Sequence, residues 1–292
     1  MVSLLTNIFR TLNANLIYKS PWPIHKALKV FKRLTDIIYR KCRTSRSRVV
    51  TISNFDKTIS LRLDTSATIA GAIYWTGFHE LRELMFLHRF LKPDMVFVDI
   101  GANLGEYTLF AAKRLTQGKV LAYEPANKMY RLLNENISLN QFDNIITFQI
   151  GLSNEVGTLP LYNAASGNTN EGLSTLYPSD TSTSITEHIS LAIFDQEFEK
   201  LKLTRLDFIK MDIEGAELSA LWGSKNVLQK FKPLVLIEIN ESSYRAAGYT
   251  VEDINSFFRA LNYSMHLITK TGILKRSDLT PNFCNVVFVP ND

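Results

Sequence analysis

The sequence predicts an α/β domain built around a mostly parallel sheet. From about residue 93, strand-like segments alternate with helical ones, beginning with MVFVDI and GEYTLFAAKRL. The first strand-like segments are nearly continuous apolar runs, which is typical of strands covered on both faces. Alternation at this spacing favours βαβ units and therefore a parallel sheet.

The two ends of this domain depart from the alternation. The segments near 262–268 and 283–289 are strand-like and have no helix between them, so we expect an antiparallel hairpin at a sheet edge. Residues 49–91 contain strand-like VVTISN and TISLRLD, followed by a helix near Glu80–Leu91. We interpret residues 49–91 as a strand and helix lid on a core of residues 93–292, the two forming one domain over 49–292.

The basic charge of the chain is concentrated at its start. Residues 1–48 hold 11 Lys and Arg and one acid, Asp36, whereas the remainder holds 22 basic and 27 acidic residues. Apolar residues at helical spacing within HKALKVFKRLTDIIYRK predict a basic helical extension. This extension is either a solvated helix or a contact for an anionic membrane surface or a nucleic acid.

Composition excludes several classes of protein. No apolar run is long enough to span a membrane, and the first residues lack the pattern of a signal peptide. The two cysteines, Cys42 and Cys284, and five scattered histidines predict neither a disulfide framework nor a zinc site. We expect a cytoplasmic protein, either free or held at a membrane surface by residues 1–48.

The turn after the first core strand, VFVDIGANLGEYT, is the first candidate binding site. Ligands of open α/β sheets lie at the carboxyl ends of the strands, and Gly101 and Gly105 permit a tight turn there with free backbone N–H groups. Glu124 ends the next strand, 25 residues after Asp99, where an acid can accept hydrogen bonds from ribose hydroxyls. The turn therefore predicts a site for a nucleoside-containing cofactor.

The spacing of this turn disfavours a dinucleotide. The glycines of G-A-N-L-G do not match G-x-G-x-x-G, and the anionic Asp99 is a poor neighbour for a pyrophosphate. An acid at this position suits the cationic amino-acid end of S-adenosylmethionine.

Six segments, in order over roughly residues 80–240, resemble the FkbM family of class I S-adenosylmethionine-dependent methyltransferases: VFVDIGANLGEYT, AYEPANKMYRLLNENISLN, IGLSNEVGTLPLY, GLSTL, FIKMDIEGAE and LVLIEIN. The resemblance implies a Rossmann-like fold with a seven-stranded sheet, and methyl transfer to a hydroxyl group of a sugar or natural product. The cofactor-binding residues that it and the turn indicate are Asp99, Gly101, Asn103, Gly105, Tyr107, Thr108, Glu124, Ser153 and Asp212.

A second group of acids predicts the chemistry. Asp212 and Glu214 follow one strand, and Glu238 and Asn240 end the next, so all of them should face the cofactor cleft. Carboxylates this close cannot all ionise without compensation. Either one of Asp212, Glu214 and Glu238 is a general base, or Asp212, Glu238 and Asn240 bind Mg²⁺. Lys210 is a candidate partner of Glu238 as structural support.

The substrate side is predicted from a long polar segment, Asn163–Ser174. Asn168, Asn170 and Ser174 are candidates for contacts with a polyhydroxyl acceptor, together with Glu80 and Asn240. The first hypothesis is an O-methyltransferase for a saccharide, glycolipid or polyketide-like hydroxyl. The alternative is a nucleic acid methyltransferase anchored by residues 1–48, which the net negative charge of the main domain disfavours.

Overall fold

The computed structural model describes residues 7–8, 10–11, 49–163, 174–177 and 185–291. The predicted basic helix and the candidate substrate residues Asn168 and Asn170 lie outside these described residues. None of the described helices is long and apolar enough to cross a membrane.

Fourteen strands are present in the described residues: β1 (Val49–Phe55), β2 (Ile59–Asp64), β3 (Val96–Ile100), β4 (Lys119–Tyr123), β5 (Ile145–Phe148), β6 (Gly151–Leu152), β7 (Gly157–Asn163), β8 (Ser174–Thr175), β9 (Ile185–Ala192), β10 (Phe208–Met211), β11 (Leu234–Asn240), β12 (Tyr263–Ile268), β13 (Leu274–Arg276) and β14 (Phe283–Pro290). Helices with defined bounds are α1 (Thr68–Thr76), α2 (Leu81–Phe90), α3 (Glu106–Ala112), α4 (Asn127–Ser138), α5 (Phe194–Lys200), α6 (Glu217–Trp222), α7 (Lys225–Phe231), α8 (Glu241–Ala246) and α9 (Val251–Ala260).

The central sheet confirms the predicted fold class. Its order is β13-β12-β14-β11-β10-β3-β4-β5, and β5, β4, β3, β10 and β11 are parallel neighbours. The C-terminal strands are antiparallel, as expected, but β14 inserts between β11 and β12 and pairs with both. The short β13 then adds an eighth strand at the edge.

Apolar residues cover both faces of this sheet. On one face, Phe97 and Phe208 are paired across β3 and β10, and their rings stack with centroids 5.2 Å apart. Residues of α2 and α3 close this face, while the opposite face packs against α5, α7 and α9. Coverage on both faces is the physical reason why the core strands are continuous apolar runs.

Residues 49–91 contain the two predicted strands and the predicted helix, which begins one residue after Glu80. They also contain α1, a helix that the sequence analysis did not predict. The buried residues of this segment belong to the same apolar cluster as Phe97 and Phe208. The buried Arg10 side chain donates to Asn54 Oδ1 and to the carbonyl oxygen of Tyr74, so the start of the chain also contacts this segment.

A smaller second sheet lies beside the first, in the order β6-β9-β7-β8. Sequence analysis treated much of this region as a polar stretch with short strand-like pieces. The long pair of β7 and β9 is antiparallel, and it buries Leu161, Ile189 and Leu191 against Met129 of α4. This sheet supplies one wall of the cleft described below.

Asn136 fastens the β1–β2 hairpin to the core. Its fully buried side chain accepts from the N–H of Arg62 at 2.6 Å and donates to the carbonyl oxygen of Leu104 at 2.8 Å. Leu104 belongs to the turn after β3, so one amide joins the hairpin, α4 and that turn.

We expect Asn136→Ala to lower the free energy of unfolding by about 1–3 kcal/mol, because it leaves buried backbone groups without partners. Urea denaturation measures the change, with Asn226→Ala at an exposed position of α7 as the control. A loss no larger than that of the control would show that the hairpin does not depend on this amide.

Candidate active site

A cleft opens where β3, β4 and β10 end. It encloses about 1070 Å³, part of which is open to solvent, a size comparable with small-molecule sites. Eight of the sequence-predicted site residues line it: Glu80, Gly101, Asn103, Tyr107, Glu124, Ser174, Asp212 and Glu214. The predicted location at the carboxyl ends of the strands is therefore the location of the cleft.

The two glycines of the turn are explained by contacts inside the protein. Gly101 has φ 78°, and a Cβ atom there would lie 2.1 Å from the carbonyl oxygen of Asp212. Gly105 has φ 97°, and its Cβ would lie 2.9 Å from Leu133 Cδ1. Both positions need the conformational freedom of glycine, but of the two only Gly101 lines the cleft.

The expectation of free N–H groups in this turn is wrong. Every N–H from residue 101 to residue 105 donates to an acceptor within the protein: Gly101 and Ala102 to Tyr123 O, Asn103 to Glu124 Oε2, Leu104 to Asn103 Oδ1, and Gly105 to Ala102 O. Such a turn offers no amide cradle to a pyrophosphate. Carbonyl and carboxylate oxygens remain, and these suit a cationic ligand.

Glu124 is placed to receive hydroxyl groups. The side chain is 6% exposed, and its two oxygens accept from the N–H groups of Asn103 at 2.8 Å and Ala126 at 2.9 Å. Burial raises the pKa of Glu124 to about 7. Each carboxylate oxygen can accept a further hydrogen bond. The two oxygens of Glu124 therefore fit the two hydroxyl groups of the ribose of S-adenosylmethionine.

Lys210, which the sequence analysis assigned at most a structural role, is the central cation of the site. Its ammonium donates to the carbonyl oxygen of Gly101 at 2.8 Å and lies 3.6 Å from Asp99 Oδ1 and 3.7 Å from Asp212 Oδ2. Burial lowers the pKa of Lys210, but the charges of Asp212 and Asp99 more than offset this effect and the net shift is upward. Its ion pairs are with these two acids, not with Glu238.

Asp99 lies behind the cleft wall. It is fully buried, its Oδ2 accepts from Thr108 Oγ1 at 2.6 Å, and its Oδ1 has no hydrogen-bond partner among the residues that the structure describes. Burial raises the pKa of Asp99, and Lys210 opposes that shift. Neither Asp99 nor Thr108 lines the cleft, so a direct cofactor contact for these two residues stays a prediction.

Asp212, Glu214 and Glu238 lie close together as predicted, but of the three only Asp212 and Glu214 line the cleft. One carboxylate oxygen of each lies within 4.8 Å of the others. Burial, followed by the charge of Asp212, raises the pKa of Glu214 to about 7 and that of Glu238 to about 9. Glu214 has φ 52°, a left-handed conformation that is rare outside glycine and often found at functional sites. The cluster is chemically able to take a proton or to surround a cation.

A hydrogen-bonded group joins this cluster to residues far away in the sequence. Tyr107 donates its hydroxyl to Glu80 Oε2 at 2.5 Å, and the amide of Asn285 donates to Glu80 Oε1. Asn285 is paired with Glu238 across β14 and β11. The sequence analysis missed Asn285, because nothing local marks an asparagine in the last strand as a hydrogen-bond partner of Glu80.

Other predicted residues have structural partners. Asn240 Oδ1 caps α8 by accepting from the N–H of Ser243. Ser153 is buried away from the cleft lining, beside Asn154. Glu217 accepts from the N–H groups of Ile213 and Gly215 and thereby shapes the turn that carries Glu214. The proposed ligand roles of Asn240 and Ser153 stay predictions.

Glu106, the first residue of α3, is a further buried acid of the cleft wall. It is 5% exposed, and its Oε1 accepts from the N–H of His79 at 2.8 Å. Burial raises the pKa of Glu106 to about 8, and the nearby charges of Glu80 and Glu83 add to the shift.

Comparison with known proteins identifies relatives. A family model described as "Methyltransferase FkbM domain" matches residues 99–265, more than half of the chain. Methyltransferase sdnD of Sordaria araneosa is 32% identical over 164 residues, which are 46% of this chain and 61% of that protein. Hexuronic acid methyltransferase AglP of Haloferax volcanii is 29% identical over 179 residues, 60% of this chain and 66% of that protein. The chain thus spans less than two thirds of the length of either relative.

Among solved structures, the crystal structure of Methyltransferase FkbM from Methylobacillus flagellatus KT has a TM-score of 0.45 and 18% identity. The match covers 68% of this chain and 44% of that one.

Glu106 predicts a pH dependence of stability. Its pKa is about 8 in the folded protein and 4.5 for the free side chain, so between these values the folded state binds more protons than the unfolded state. Stability must then fall as the pH rises through this window. We expect the free energy of unfolding to fall by about 1.4 kcal/mol or more between pH 6 and pH 8, measured by urea denaturation without ligand.

The matched variant is Glu106→Gln, which keeps an oxygen acceptor for His79 but does not titrate. We expect a visibly smaller loss of stability in this variant over the same pH range. Equal pH dependence in the two proteins would contradict the assignment.

Proposed function

Because the chain belongs to the FkbM methyltransferase family, we propose that it transfers a methyl group from S-adenosylmethionine to a hydroxyl group of a saccharide, a glycolipid or a polyketide-like compound. The observation that carries the proposal is the convergence of Glu238 with Asp212 and Glu214, the two of these acids that line the cleft. A hydroxyl group is a poor nucleophile until a base or a metal ion helps remove its proton. The name of the relative AglP, a hexuronic acid methyltransferase, supports a saccharide acceptor.

The cleft residues fit the cofactor by their chemistry. Glu124 is the candidate for the ribose hydroxyls, and the acids that line the cleft suit a ligand with positive charge. When bound, S-adenosylmethionine supplies a methyl group activated by a sulfonium. The protein has to exclude anionic competitors and orient the acceptor oxygen. The absence of free N–H groups from residue 101 to residue 105 serves the first requirement.

Two carboxylates are candidates for the base. Glu214 lines the cleft, and its raised pKa of about 7 matches the requirement for a base that works near neutral pH. Glu238 lies within reach of Glu214 and Asp212. In our proposal the acceptor hydroxyl would give its proton to one of these carboxylate oxygens while its oxygen takes the methyl group, and the bond from that methyl group to the sulfonium sulfur would break to leave S-adenosylhomocysteine. Binding of Mg²⁺ by the same three carboxylates is the alternative form of activation.

A nucleic acid acceptor finds less support. Five carboxylates line the cleft, from Glu80, Glu106, Glu124, Asp212 and Glu214. Phosphate groups would be repelled there.

We expect Glu124→Ala to weaken binding of S-adenosylmethionine at least tenfold, because the hydrogen bonds of a buried carboxylate to two hydroxyls are lost. Isothermal titration calorimetry measures the affinity, and Glu155→Ala at an exposed position is the control. Affinity equal to that of the control would remove Glu124 from the cofactor site.

We expect Glu214→Gln and Glu238→Gln to lower kcat by about 100-fold or more for at least one of the two, the range of general acid–base catalysis. Affinity for S-adenosylmethionine should stay within about threefold of the wild-type value. The assay transfers labelled methyl groups to acceptors in a cell extract.

A chelator separates the two forms of activation. Activity that persists in the chelator supports the carboxylate base. Loss of activity that Mg²⁺ restores supports the metal. Full activity in both variants would contradict any role for the cluster.

A further inference from the structure

The short strand β8 contacts the turn that carries Glu214. The hydroxyl group of Thr175, the second residue of β8, donates to the carbonyl oxygen of Glu214 at 2.8 Å. The same hydroxyl oxygen accepts from the N–H of Tyr177 at 3.0 Å. Two residues that are 39 positions apart in the sequence are therefore joined by one hydrogen bond, which connects the second sheet to the turn after β10.

The backbone of Glu214 needs contacts of this kind. Glu214 has φ 52° and Gly215 has φ 103°, so two successive residues are in the left-handed region. This conformation is unfavourable for a residue with a side chain, and it persists only where the surrounding structure holds it. The N–H groups of the residues on either side, Ile213 and Gly215, donate to Glu217. Thr175 holds the carbonyl group of Glu214 itself.

The pairing of β8 with β7 does not account for the contact with the turn. β8 has only two residues, and both pair with β7 through the backbone. The bond from Tyr177 uses the hydroxyl of Thr175 as an acceptor, which leaves its proton for Glu214. The ring of Tyr177 also packs onto the turn, since a Cβ atom at Gly215 would lie 3.5 Å from its Cδ2 atom. A hydrogen bond and a ring contact thus dock the segment 174–177 on the turn.

This contact lies at the cleft. Ser174, the neighbour of Thr175 and a candidate for acceptor contacts, lines the cleft together with Glu214. The Glu214 carboxylate is held in addition by the hydroxyl of Ser243, which donates to Oε2 at 3.3 Å. A group that activates the acceptor oxygen has to be placed accurately, because a displacement of about 1 Å can lower the rate about 100-fold. The turn sets where this carboxylate lies.

We propose that Thr175 is a positioning residue, whose hydroxyl group holds the left-handed turn that directs the Glu214 carboxylate into the cleft. Because Ser174 is adjacent, one segment of the chain contacts the acceptor and holds the carboxylate that activates it. The effect on methyl transfer rests on the proposed function, whereas the effect on the turn does not. Both effects are expected whether Glu214 acts as a base or as a metal ligand.

Two variants separate the hydroxyl group of Thr175 from the rest of its side chain. Thr175→Val removes the hydrogen bond and keeps the branched shape, whereas Thr175→Ser keeps the hydroxyl group. Thr175→Ala, which also lacks the hydroxyl, replaces Thr175→Val if that variant does not fold. Thr186→Val is the matched control, because the hydroxyl of Thr186, in β9 of the same sheet, donates to the carbonyl oxygen of Leu161 at 2.9 Å. Thr186 does not line the cleft.

The first measurement is the crystal structure of each variant, which requires no methyl transfer. In Thr175→Val we expect the Glu214 backbone to leave its left-handed conformation and its carboxylate to leave the group of oxygens within 4.8 Å that it forms with Asp212 and Glu238. In Thr175→Ser and Thr186→Val the turn should stay in place. An unchanged turn in Thr175→Val would overturn the proposal.

The second measurement is the rate of transfer of labelled methyl groups to acceptors in a cell extract. We expect Thr175→Val to lower kcat about 10- to 100-fold, with KM for S-adenosylmethionine near the wild-type value, and Thr175→Ser to restore kcat. The proposal is also wrong if Thr175→Val is as active as Thr186→Val, or if Thr175→Ser is as impaired as Thr175→Val. If the wild-type protein transfers no methyl group, the proposed function fails, and the crystal structures still decide whether Thr175 holds the turn.

Discussion

A single buried ammonium group, that of Lys210, joins the two halves of the cleft. It donates to the carbonyl oxygen of Gly101, in the turn after β3, and lies between Asp99 and Asp212, which end neighbouring strands. Sheet register sets this arrangement, because Lys210 and Asp99 are paired directly across β10 and β3. Removing a buried cation of this kind would leave two acids uncompensated. The close approach of the two strand ends, which requires Gly101, places the ammonium beside both.

From this constraint follows the electrostatic character of the site. One cation compensates two acids, while Glu106, Glu214 and Glu238 have pKa values raised by burial and by neighbouring acids. Their raised proton affinity is the source of a base for the acceptor hydroxyl, and a cleft lined by acids disfavours anionic ligands. The satisfied N–H groups of the turn act in the same direction, since they leave nothing to attract an anion. Cofactor choice and acceptor activation are therefore two consequences of one charge distribution.

Much of this site could be predicted from strand ends in the sequence, because parallel strands present their carboxyl ends at one edge. Asp99, Glu124, Asp212 and Glu238 were found in this way, and the convergence of the last two with Glu214 is confirmed. The occupied N–H groups were not predictable, since those of Gly101, Ala102 and Asn103 have their acceptors at the end of the next strand along the chain. The role of Lys210 could have been predicted, because it is the one charged residue in the otherwise apolar strand FIKM, and a buried charge needs a partner. The contact of Asn285 with Glu80 and the pairing of β7 with β9 join residues far apart in the sequence, so local sequence patterns could not predict them.

The most direct test of the account uses S-adenosylmethionine labelled on its methyl group. The purified protein is incubated with it and an extract of the cells that produce the protein, and the extract is then separated into lipid, saccharide, small-molecule, RNA and protein pools. The account predicts label in one of the first three pools, held as a methyl ether on an oxygen. Label in an RNase-sensitive pool, or on nitrogen or carbon, would contradict it.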